Sequence, residues 1–129
     1  MNARTIRVLC CDDHDIAVEG MRRILEHEPG IEVAGSVTHI DDIARLVHER
    51  QPDVVLLDLK WGGVFEAGYD IIRQIKERSP EVRIIAISAY EHLAEGAKNA
   101  GADEGVTKDI SPRDLVARVK AAMVSLEWL

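Results

Sequence analysis

The chain has 129 residues and a formal net charge of −7, with 47% hydrophobic and 30% charged residues. This length suits a single domain with one core, spanning residues 1–129. The negative charge argues against nonspecific binding to nucleic acid or to an anionic membrane surface, and no apolar run is long enough to span a bilayer. Cys10 and Cys11 should point to opposite faces of a strand as reduced thiols. With no segment resembling a signal peptide, these features predict a cytoplasmic protein.

The first half of the chain alternates between strand-like and helix-like patterns. Strands are predicted over Ile6–Cys11 and Ile31–Val37, with a first helix between them that ends near His27. Thr38 with Asp41 three residues later is a helix-start signature, and predicts where the second helix begins. Residues that recur at helical spacing mark both helices: Ile16, Gly20 and Ile24 with Ala17, Met21 and Leu25 in the first helix, and Ile43, Leu46, Val47 and Arg50 in the second.

A continuous apolar run, 54–57, follows Pro52-Asp53 and stops at Asp58. It is too short for a buried helix and too uniformly apolar for a strand with one wet face. The run therefore predicts a central strand of a parallel sheet that is covered on both sides. Ligands gather at the carboxyl ends of such strands, where Asp58 lies. An ionised carboxylate beside a dry strand is costly unless cationic groups surround it.

The second half repeats the alternation of strands and helices. The patterns predict a loop over 59–67, a helix ended by Ser79-Pro80, a strand over Val82–Ser88, a short helix from about Leu93 to Ala100, and a brief strand near Gly105–Thr107. Ser111-Pro112 then starts a last helix, whose inner stripe is Leu115, Val119, Ala122 and Leu126. Five strand–helix repeats predict one α/β domain with a parallel sheet and right-handed crossovers.

Polar and charged side chains that could take part in a reaction lie at or just after the ends of four predicted strands. They are Asp12 and Asp13, then Asp58, Ser88 and Lys108. Converging carboxylates raise at least one pKa by mutual repulsion, and a hard divalent cation such as Mg²⁺ removes that conflict. A lysine and a hydroxyl at neighbouring strand ends can hold an oxyanion. Each residue alone would more often be a helix cap, a turn former or a surface group. Together they predict phosphoryl transfer onto a carboxylate.

The segments that carry these residues, Ile6–His14, Pro52–Leu59 and Thr107–Asp109, resemble the receiver domains of two-component response regulators. The likeness is greatest to the NarL/LuxR type, and its motifs run through nearly the whole chain. It implies a single (βα)5 flavodoxin-like domain of three layers, with five parallel strands in the order 2-1-3-4-5.

The resemblance also implies a role for each site residue. Asp58 would accept a phosphoryl group from a histidine kinase or a phosphotransfer protein. Mg²⁺ would be bound by Asp13, by Asp58 and by the backbone carbonyl of Lys60, with Asp12 acting through water. The phosphoryl group would be bound by Ser88 and Lys108.

The loop after the phosphoacceptor departs from the family pattern. Trp61-Gly62 stands where the family usually has Met-Pro, and Gly68 comes later than the family's glycine. We expect a longer, Gly-rich loop. Two interpretations stay open: Trp61, Val64 and Phe65 pack back on the third helix, or they are exposed as a docking patch for a partner or a lid over Asp58.

The switch region departs as well. The family's Gly-aromatic pair on the fifth strand is Glu104-Gly105 here, so the aromatic that normally swings inward is absent. The segment after Ser88 is short, which predicts an abbreviated or displaced fourth helix. One hypothesis is that signalling runs through Tyr90 and that helix; the other is that the domain is not switched in the usual way. Lys60 and Tyr90 overlook the site and are candidates for altering hydrolysis, with a solvated Lys60 as the alternative.

Two functions from different classes follow. The first is a phosphorylation switch, which turns over no independent substrate and so is not a conventional enzyme. The second is an atypical receiver that binds a protein partner independently of phosphorylation. A flavin protein fits poorly because the acidic turn 12–15 would repel a flavin phosphate, and an aspartyl phosphatase fits poorly because Lys60 stands where those enzymes commonly place an acid.

The output is not written in this sequence. The resemblance suggests that a DNA-binding domain could follow this one in a longer protein. We expect no direct nucleic-acid binding by this domain itself. The resemblance also allows a homodimer through the fourth and fifth helices. The five histidines show no metal-ligand spacing and are predicted to be surface or helix-face residues: His14, His27, His39, His48 and His92.

Overall fold

The computed structural model describes residues 4–64 and 66–127, with side chains described as far as Met123. The strands are β1 (Ile6–Cys11), β2 (Ile31–Val37), β3 (Val54–Asp58), β4 (Arg83–Ser88) and β5 (Glu104–Thr107). The helices are α1 (Asp15–Glu26), α2 (Ile43–Arg50), α3 (Glu66–Arg78), α4 (Glu91–Ala100) and α5 (Pro112–Glu127), and a short 3₁₀ helix (Ile40–Asp42) precedes α2. Phe65 and the side chain of Leu126 lie outside the described part.

The five strands form one sheet in the order β2-β1-β3-β4-β5, and every neighbouring pair is parallel. This is the predicted flavodoxin-like order. Every residue of β3 is buried, as expected for the central strand. The register pairs Asp58 with Ile87 and Ser88 with Thr107, so the carboxyl ends of β3, β4 and β5 are nearly level.

Helices cover the sheet on both faces, because successive strand residues point to opposite sides. On one face Leu9 and Leu57 pack in a core that includes residues of α2, α3 and α4; on the other, Val8 and Leu56 pack with residues of α1 and α5. Each face thus has its own apolar cluster, and the domain has three layers. None of the described helices is long and apolar enough to cross a membrane.

Two helix starts differ from the sequence expectation. The turn before α2 is a 3₁₀ helix that begins at Ile40 and follows His39, and no side chain caps it, so the predicted cap at Thr38 is wrong. In α1 the inward stripe is Val18, Met21 and Leu25, whereas Ile16 is 89% exposed. Helical spacing identified α1, but it could not say which of two overlapping apolar stripes faces the core.

The third helix begins inside the predicted loop, at Glu66. Gly68 lies in its first turn and donates its N–H to the Leu59 carbonyl at 3.1 Å. A Cβ at this position would lie 2.6 Å from the Leu59 Cα and closer still to its carbonyl oxygen. Gly68 therefore lets α3 pack directly on the chain leaving β3, although it comes late in the sequence.

Both cysteines are fully buried in β1, one in each apolar cluster. Burial raises the pKa of the Cys10 thiol to about 12 and that of Cys11 well above its usual value. Since the thiolate is the reactive form, we expect no reaction of the folded protein with a thiol reagent such as Ellman's reagent at pH 8. Both thiols should react in urea. Rapid modification of either one without denaturant would contradict this burial.

Asp103 ties α3, β4 and the start of β5 together at the edge of the sheet away from the carboxyl ends. Its Oδ2 accepts hydrogen bonds from Lys76 Nζ and the Ile84 backbone N–H, both at 2.8 Å, and its Oδ1 accepts one from Arg83 Nη1 at 3.2 Å. The two cations are largely shielded from solvent, with 19% and 15% of their side chains exposed.

We expect Asp103→Ala to lower the free energy of unfolding by about 2–3 kcal/mol, because Lys76, Arg83 and the Ile84 N–H lose this acceptor and Lys76 is left with the Val82 carbonyl. Urea denaturation measures the change. The control is Asp70→Ala, which removes an exposed pair with Arg73 on α3 and should cost less than about 0.5 kcal/mol. Equal losses in the two variants would mean that Asp103 is an ordinary surface acid.

Candidate functional site

Four strand ends bring the predicted site residues to one edge of the sheet. Asp12 and Asp13 follow β1, Asp58 is the last residue of β3, Ser88 is the last residue of β4, and Lys108 follows β5. The Lys108 backbone N–H donates to the Ser88 carbonyl at 2.9 Å, which holds the exit of β5 beside the end of β4. The parallel topology thus assembles side chains that are almost a hundred residues apart in the chain.

Lys108 supplies the positive charge at this edge. Its Nζ lies 3.1 Å from Asp58 Oδ1 and 3.7 Å from Asp12 Oδ2. Burial lowers the pKa of this ammonium, but the two carboxylates, Asp58 foremost, outweigh burial and raise the pKa overall. Lys108 is therefore protonated at neutral pH and available to pair with an anion.

Asp58 is only 1% exposed. Burial raises the pKa of its carboxyl group and the neighbouring Asp12 carboxylate raises it further, and the opposing effect of Lys108 does not cancel these two. Apart from the ion pair with Lys108, neither oxygen of Asp58 accepts a hydrogen bond within the described part of the chain. The Asp58 carboxylate is thus buried and has few hydrogen-bond partners, which makes it a candidate functional group.

Two more carboxylate oxygens share that condition. Asp12 has no exposed surface, and its Oδ1 accepts the His14 backbone N–H at 2.9 Å. Its Oδ2 and the Oδ1 of Asp13 are buried and accept no hydrogen bond from the described residues. Four carboxylate oxygens on three acids thus accept no hydrogen bond, and the single ammonium of Lys108 faces only two of them, so the set is costly without a further cation. This set of carboxylate oxygens fits the preference of Mg²⁺ for oxygen ligands.

The loop after β3 folds back on the site. Trp61 and Val64 form an antiparallel β-bridge, and the Trp61 side chain is 5% exposed within the apolar cluster on the α3 face. Its indole N–H donates to the Asp58 backbone carbonyl at 2.6 Å. The interpretation of Trp61 as an exposed partner contact is therefore wrong. It packs back and braces the strand end that carries Asp58.

The other described residues of the loop differ in their contacts and exposure. The Gly62 N–H donates to Asp13 Oδ2 at 3.0 Å, which orients that carboxylate. Val64 is 49% exposed, and Phe65, the other predicted partner contact, lies outside the described residues. The Gly62 contact could not be predicted from the sequence, because it depends on a backbone amide rather than on a side chain.

Lys60 and Tyr90 border the pocket. Lys60 is exposed and lies between the end of β3 and the bridge. Tyr90 precedes α4 and is 53% exposed, and its ring is centred 6.1 Å from that of His92. The Tyr90 backbone N–H donates to Ser88 Oγ at 3.1 Å. Because this bond uses the oxygen of Ser88 as an acceptor, the hydroxyl hydrogen stays available to donate to a bound anion.

The sequence predicts a surface or helix-face position for His14, and its side chain is 71% exposed. However, its Nδ1 faces both acids that follow β1, at 3.2 Å from Asp12 Oδ1 and 3.0 Å from Asp13 Oδ1. The available signal was its position directly after the acid pair, at the start of α1. A search for spaced histidines overlooks a ligand set made of neighbouring residues.

The fourth helix begins earlier than the sequence pattern predicts and ends where predicted, at Ala100. It spans ten residues, Glu91–Ala100, and its backbone lies directly on β5. A Cβ at Gly105 would lie 2.7 Å from the Ala94 carbonyl carbon and closer to its oxygen. On the other side, the Tyr69 hydroxyl of α3 donates to the Leu93 carbonyl at 2.8 Å. The place where the family has its strand-five aromatic is thus filled by the backbone of α4.

Comparison with known proteins gives the family. A sequence profile of the response regulator receiver domain matches residues 8–120. The response regulator UvrY of Escherichia coli (strain K12) is 31% identical over 118 residues, which cover 90% of this chain and 53% of UvrY. The transcriptional regulatory protein DegU of Brevibacillus brevis is 29% identical over 122 residues, which cover 93% of this chain and 51% of DegU. The chain thus spans about half the length of these curated relatives.

A solved structure agrees with this assignment. The crystal structure of a LuxR-family two-component response regulator from an Aurantimonas species superposes with a TM-score of 0.85 at 32% identity, covering 94% of this chain and 86% of that chain. Receiver domains are signalling switches rather than conventional enzymes, and they typically bind Mg²⁺ at an acidic pocket such as the one that Asp12 and Asp13 form here. The chain belongs to the response regulator receiver domain family of two-component signalling.

Proposed function

We propose that Asp58 is the phosphoacceptor of this receiver domain and that phosphorylation changes its binding to a partner. The observation that carries the proposal is the state of its carboxylate, which is buried and unsatisfied by hydrogen bonds while it pairs with Lys108 at 3.1 Å. The phosphodonor is a histidine kinase or a phosphotransfer protein, since a histidine kinase partner is implied by the family.

The residues would divide the chemistry as follows. An ionised oxygen of Asp58 forms a bond to phosphorus while the P–N bond of the donor phosphohistidine breaks and its electron pair returns to the imidazole nitrogen. Lys108 neutralises a phosphoryl oxygen, and the Ser88 hydroxyl donates a hydrogen bond to another. Both groups lie at the same edge of the sheet as Asp58.

Asp12, Asp13, Asp58 and the carbonyl of Lys60 would hold Mg²⁺, and the buried side-chain oxygens of the three acids that accept no hydrogen bond support this assignment. The bound ion would supply positive charge that offsets the repulsion among the three carboxylates and the incoming phosphoryl group. Trp61 and Gly62 position Asp58 and Asp13 from behind. Lys60 and Tyr90 border the pocket as candidates for tuning hydrolysis, and the rate of phosphoryl loss for Lys60→Ala against the parent measures that role.

A second candidate is a phosphorylation-independent binding module. It is favoured by one observation, the packing of α4 against Gly105, which leaves no space for the inward-swinging aromatic of ordinary receivers. Under this alternative the acidic pocket would not be phosphorylated in use, and α4 would keep its position when the partner binds. The assembled site of Asp58, Lys108 and Ser88 favours the switch.

The output belongs to the proposal as well. DegU is named a transcriptional regulatory protein, and this chain spans about half of it. We infer that the switch controls transcription through a DNA-binding domain in a longer protein. A homodimer through α4 and α5 remains a prediction, as does a cytoplasmic location.

The test is the intact mass of the protein after incubation with acetyl phosphate or phosphoramidate. The parent should gain one phosphoryl group in the presence of Mg²⁺ and none with EDTA. The Asp58→Asn variant should gain none in either condition. An unlabelled parent, under conditions that label an ordinary receiver, would favour the binding module, and equal labelling of the variant would exclude Asp58 as the acceptor.

A further inference from the structure

The loop that leaves β3 contains a two-residue hairpin. The backbone N–H of Trp61 donates to the Val64 carbonyl at 3.2 Å, and that of Val64 donates to the Trp61 carbonyl at 3.0 Å. Between them, Gly62 and Gly63 have positive φ angles of 58° and 81°, as a type I′ turn requires at both central positions. Glycine adopts such angles without strain, so this part of the loop has a defined shape.

Two hydrogen bonds attach the hairpin to the acid pocket. The indole N–H of Trp61 donates to the Asp58 backbone carbonyl at 2.6 Å, and the Gly62 N–H donates to Asp13 Oδ2 at 3.0 Å. Asp58 ends β3, whereas Asp13 follows β1, the strand that pairs with β3. One short turn thus connects the main chain that carries Asp58 with the carboxylate of Asp13.

The peptide unit that follows Asp58 is held at both of its polar groups. Its carbonyl accepts the indole N–H, and its N–H, which belongs to Leu59, donates to the Ile87 carbonyl of β4 at 3.1 Å. Trp61 packs in the apolar cluster on the α3 face and is shielded from water, which strengthens the indole bond. The peptide has little freedom to rotate, and the Cα from which the Asp58 carboxylate extends is fixed with it.

Neither contact could be made by the Met-Pro pair that the family usually has at this place. A methionine side chain has no N–H to donate, and a proline has no backbone N–H. Trp61 supplies the first donor and Gly62 the second. The hairpin is therefore a device of this chain, and its two bonds both lead to residues of the proposed phosphorylation site.

We propose that Trp61 is a positioning residue for phosphoryl transfer to Asp58. Its indole N–H fixes the strand end from which the acceptor carboxylate extends, and the hairpin that it anchors orients Asp13 through Gly62. The attacking oxygen must lie in line with the bond that breaks, so a small change in its direction lowers the rate. This inference rests on the proposed function and deepens it by assigning the residue that keeps the acceptor in place.

The test is the rate at which phosphoramidate labels the protein with Mg²⁺ present, followed by intact mass over a range of donor concentrations. Trp61→Phe keeps an aromatic ring in the core and removes the indole donor. The control is Tyr69→Phe, because the Tyr69 hydroxyl also donates to a backbone carbonyl, that of Leu93, and packs against the same apolar cluster. Each variant loses one hydrogen bond of the same kind.

Trp61→Phe should lower the limiting rate of labelling by about tenfold or more, because the acceptor oxygen is no longer held in line. The half-saturating concentration of phosphoramidate should stay within about twofold of the parent value, since Ser88 and Lys108 are unchanged. Tyr69→Phe should match the parent in both quantities. A limiting rate in Trp61→Phe equal to that of the parent would overturn the proposal, and so would equal losses of rate in the two variants.

A second pair of variants alters the hairpin from its exposed side and leaves the core side chain in place. Val64 is 49% exposed, and its backbone N–H donates to the Trp61 carbonyl. Val64→Pro removes this donor, whereas Val64→Ala keeps it. We expect Val64→Pro to slow labelling by about threefold or more and Val64→Ala to resemble the parent. Equal rates in the two variants would mean that the hairpin does not position the acceptor.

Failure of this inference is distinct from failure of the proposed function. A parent that is labelled at Asp58, together with Trp61 and Val64 variants that are labelled equally fast, would leave the phosphoacceptor proposal intact and remove the positioning role. A parent that takes no phosphoryl group would remove both.

Discussion

Asp58→Asn is expected to raise the free energy of unfolding at pH 7 by about 1–2 kcal/mol, although it removes the proposed phosphoacceptor. In the folded parent this carboxylate is buried beside Asp12, and burial followed by repulsion raises its pKa. An asparagine keeps the shape and removes the charge. Lys108 loses its nearer partner, but 42% of its side chain is exposed, so water can solvate the ammonium.

The direction of the Asp58 pKa shift determines how the stability of the folded protein changes with pH. The folded pKa of Asp58 lies above the usual value of 3.8, so the folded protein binds this proton more tightly than the unfolded chain does. The contribution of Asp58 to stability is therefore complete below about pH 3.8 and is lost as the pH rises through the folded pKa. The asparagine in Asp58→Asn does not ionise, so the variant does not lose stability in this way. The difference in the free energy of unfolding between variant and parent should therefore grow as the pH rises from 4 to 7.

Urea denaturation of both proteins across that range, without divalent cations, measures the difference. The control is Asp53→Asn at the opposite edge of the sheet, where the carboxylate accepts the Arg7 backbone N–H at 2.9 Å and pairs with Arg4. That variant should be less stable than the parent at pH 7. An Asp58→Asn variant less stable than the parent, or a difference that does not change with pH, would mean that the pocket tolerates its charges without a cation.

The strand ends could be predicted from the sequence because their positions follow from local pattern and simple topology. Four consecutive apolar residues before Asp58 specify a strand buried on both faces. Once the sheet is parallel, its carboxyl ends must lie together, and the acids after β1 must face Asp58. The order of the strands came from resemblance to a known family and not from the residues alone.

The loop and the fourth helix could not be predicted, because their positions depend on contacts distant in sequence. Burial of Trp61 depends on its indole N–H reaching the Asp58 carbonyl and on the bridge to Val64, and nothing in the local sequence specifies either. α4 can lie directly on β5 only because Gly105 has no side chain. A short connecting segment indicated that the helix was unusual, but it did not distinguish a shorter helix from a displaced one.

Gly105→Ala is expected to lower the free energy of unfolding by about 2–4 kcal/mol, the largest loss we predict for a single methyl group in this chain. The new Cβ would lie 2.7 Å from the Ala94 carbonyl carbon. The atoms it meets belong to backbone, which cannot turn aside as a flexible side chain can. Relief requires the whole of α4 to move away from β5.

That movement is opposed on the other side of the helix. The Tyr69 hydroxyl donates to the Leu93 carbonyl at 2.8 Å, and a Cβ at Gly96 would lie 2.7 Å from the same hydroxyl oxygen. Two close approaches therefore fix α4 between α3 and β5. Hydrogen exchange of the α4 amides should quicken in Gly105→Ala together with the loss of stability, because the helix that must shift is the one that loses its packing.

Gly20→Ala supplies the matched control. It adds the same methyl group in the interior of α1, where a Cβ would meet no atom within 4 Å, and it should raise stability by about 0.5–1 kcal/mol through helix propensity. If Gly105→Ala were as stable as the parent, α4 would be able to leave β5 at little cost. The helix would then be free to follow Ser88 through Tyr90 on phosphorylation. A large loss instead means that any signal leaving Ser88 must move α4 against a close backbone contact.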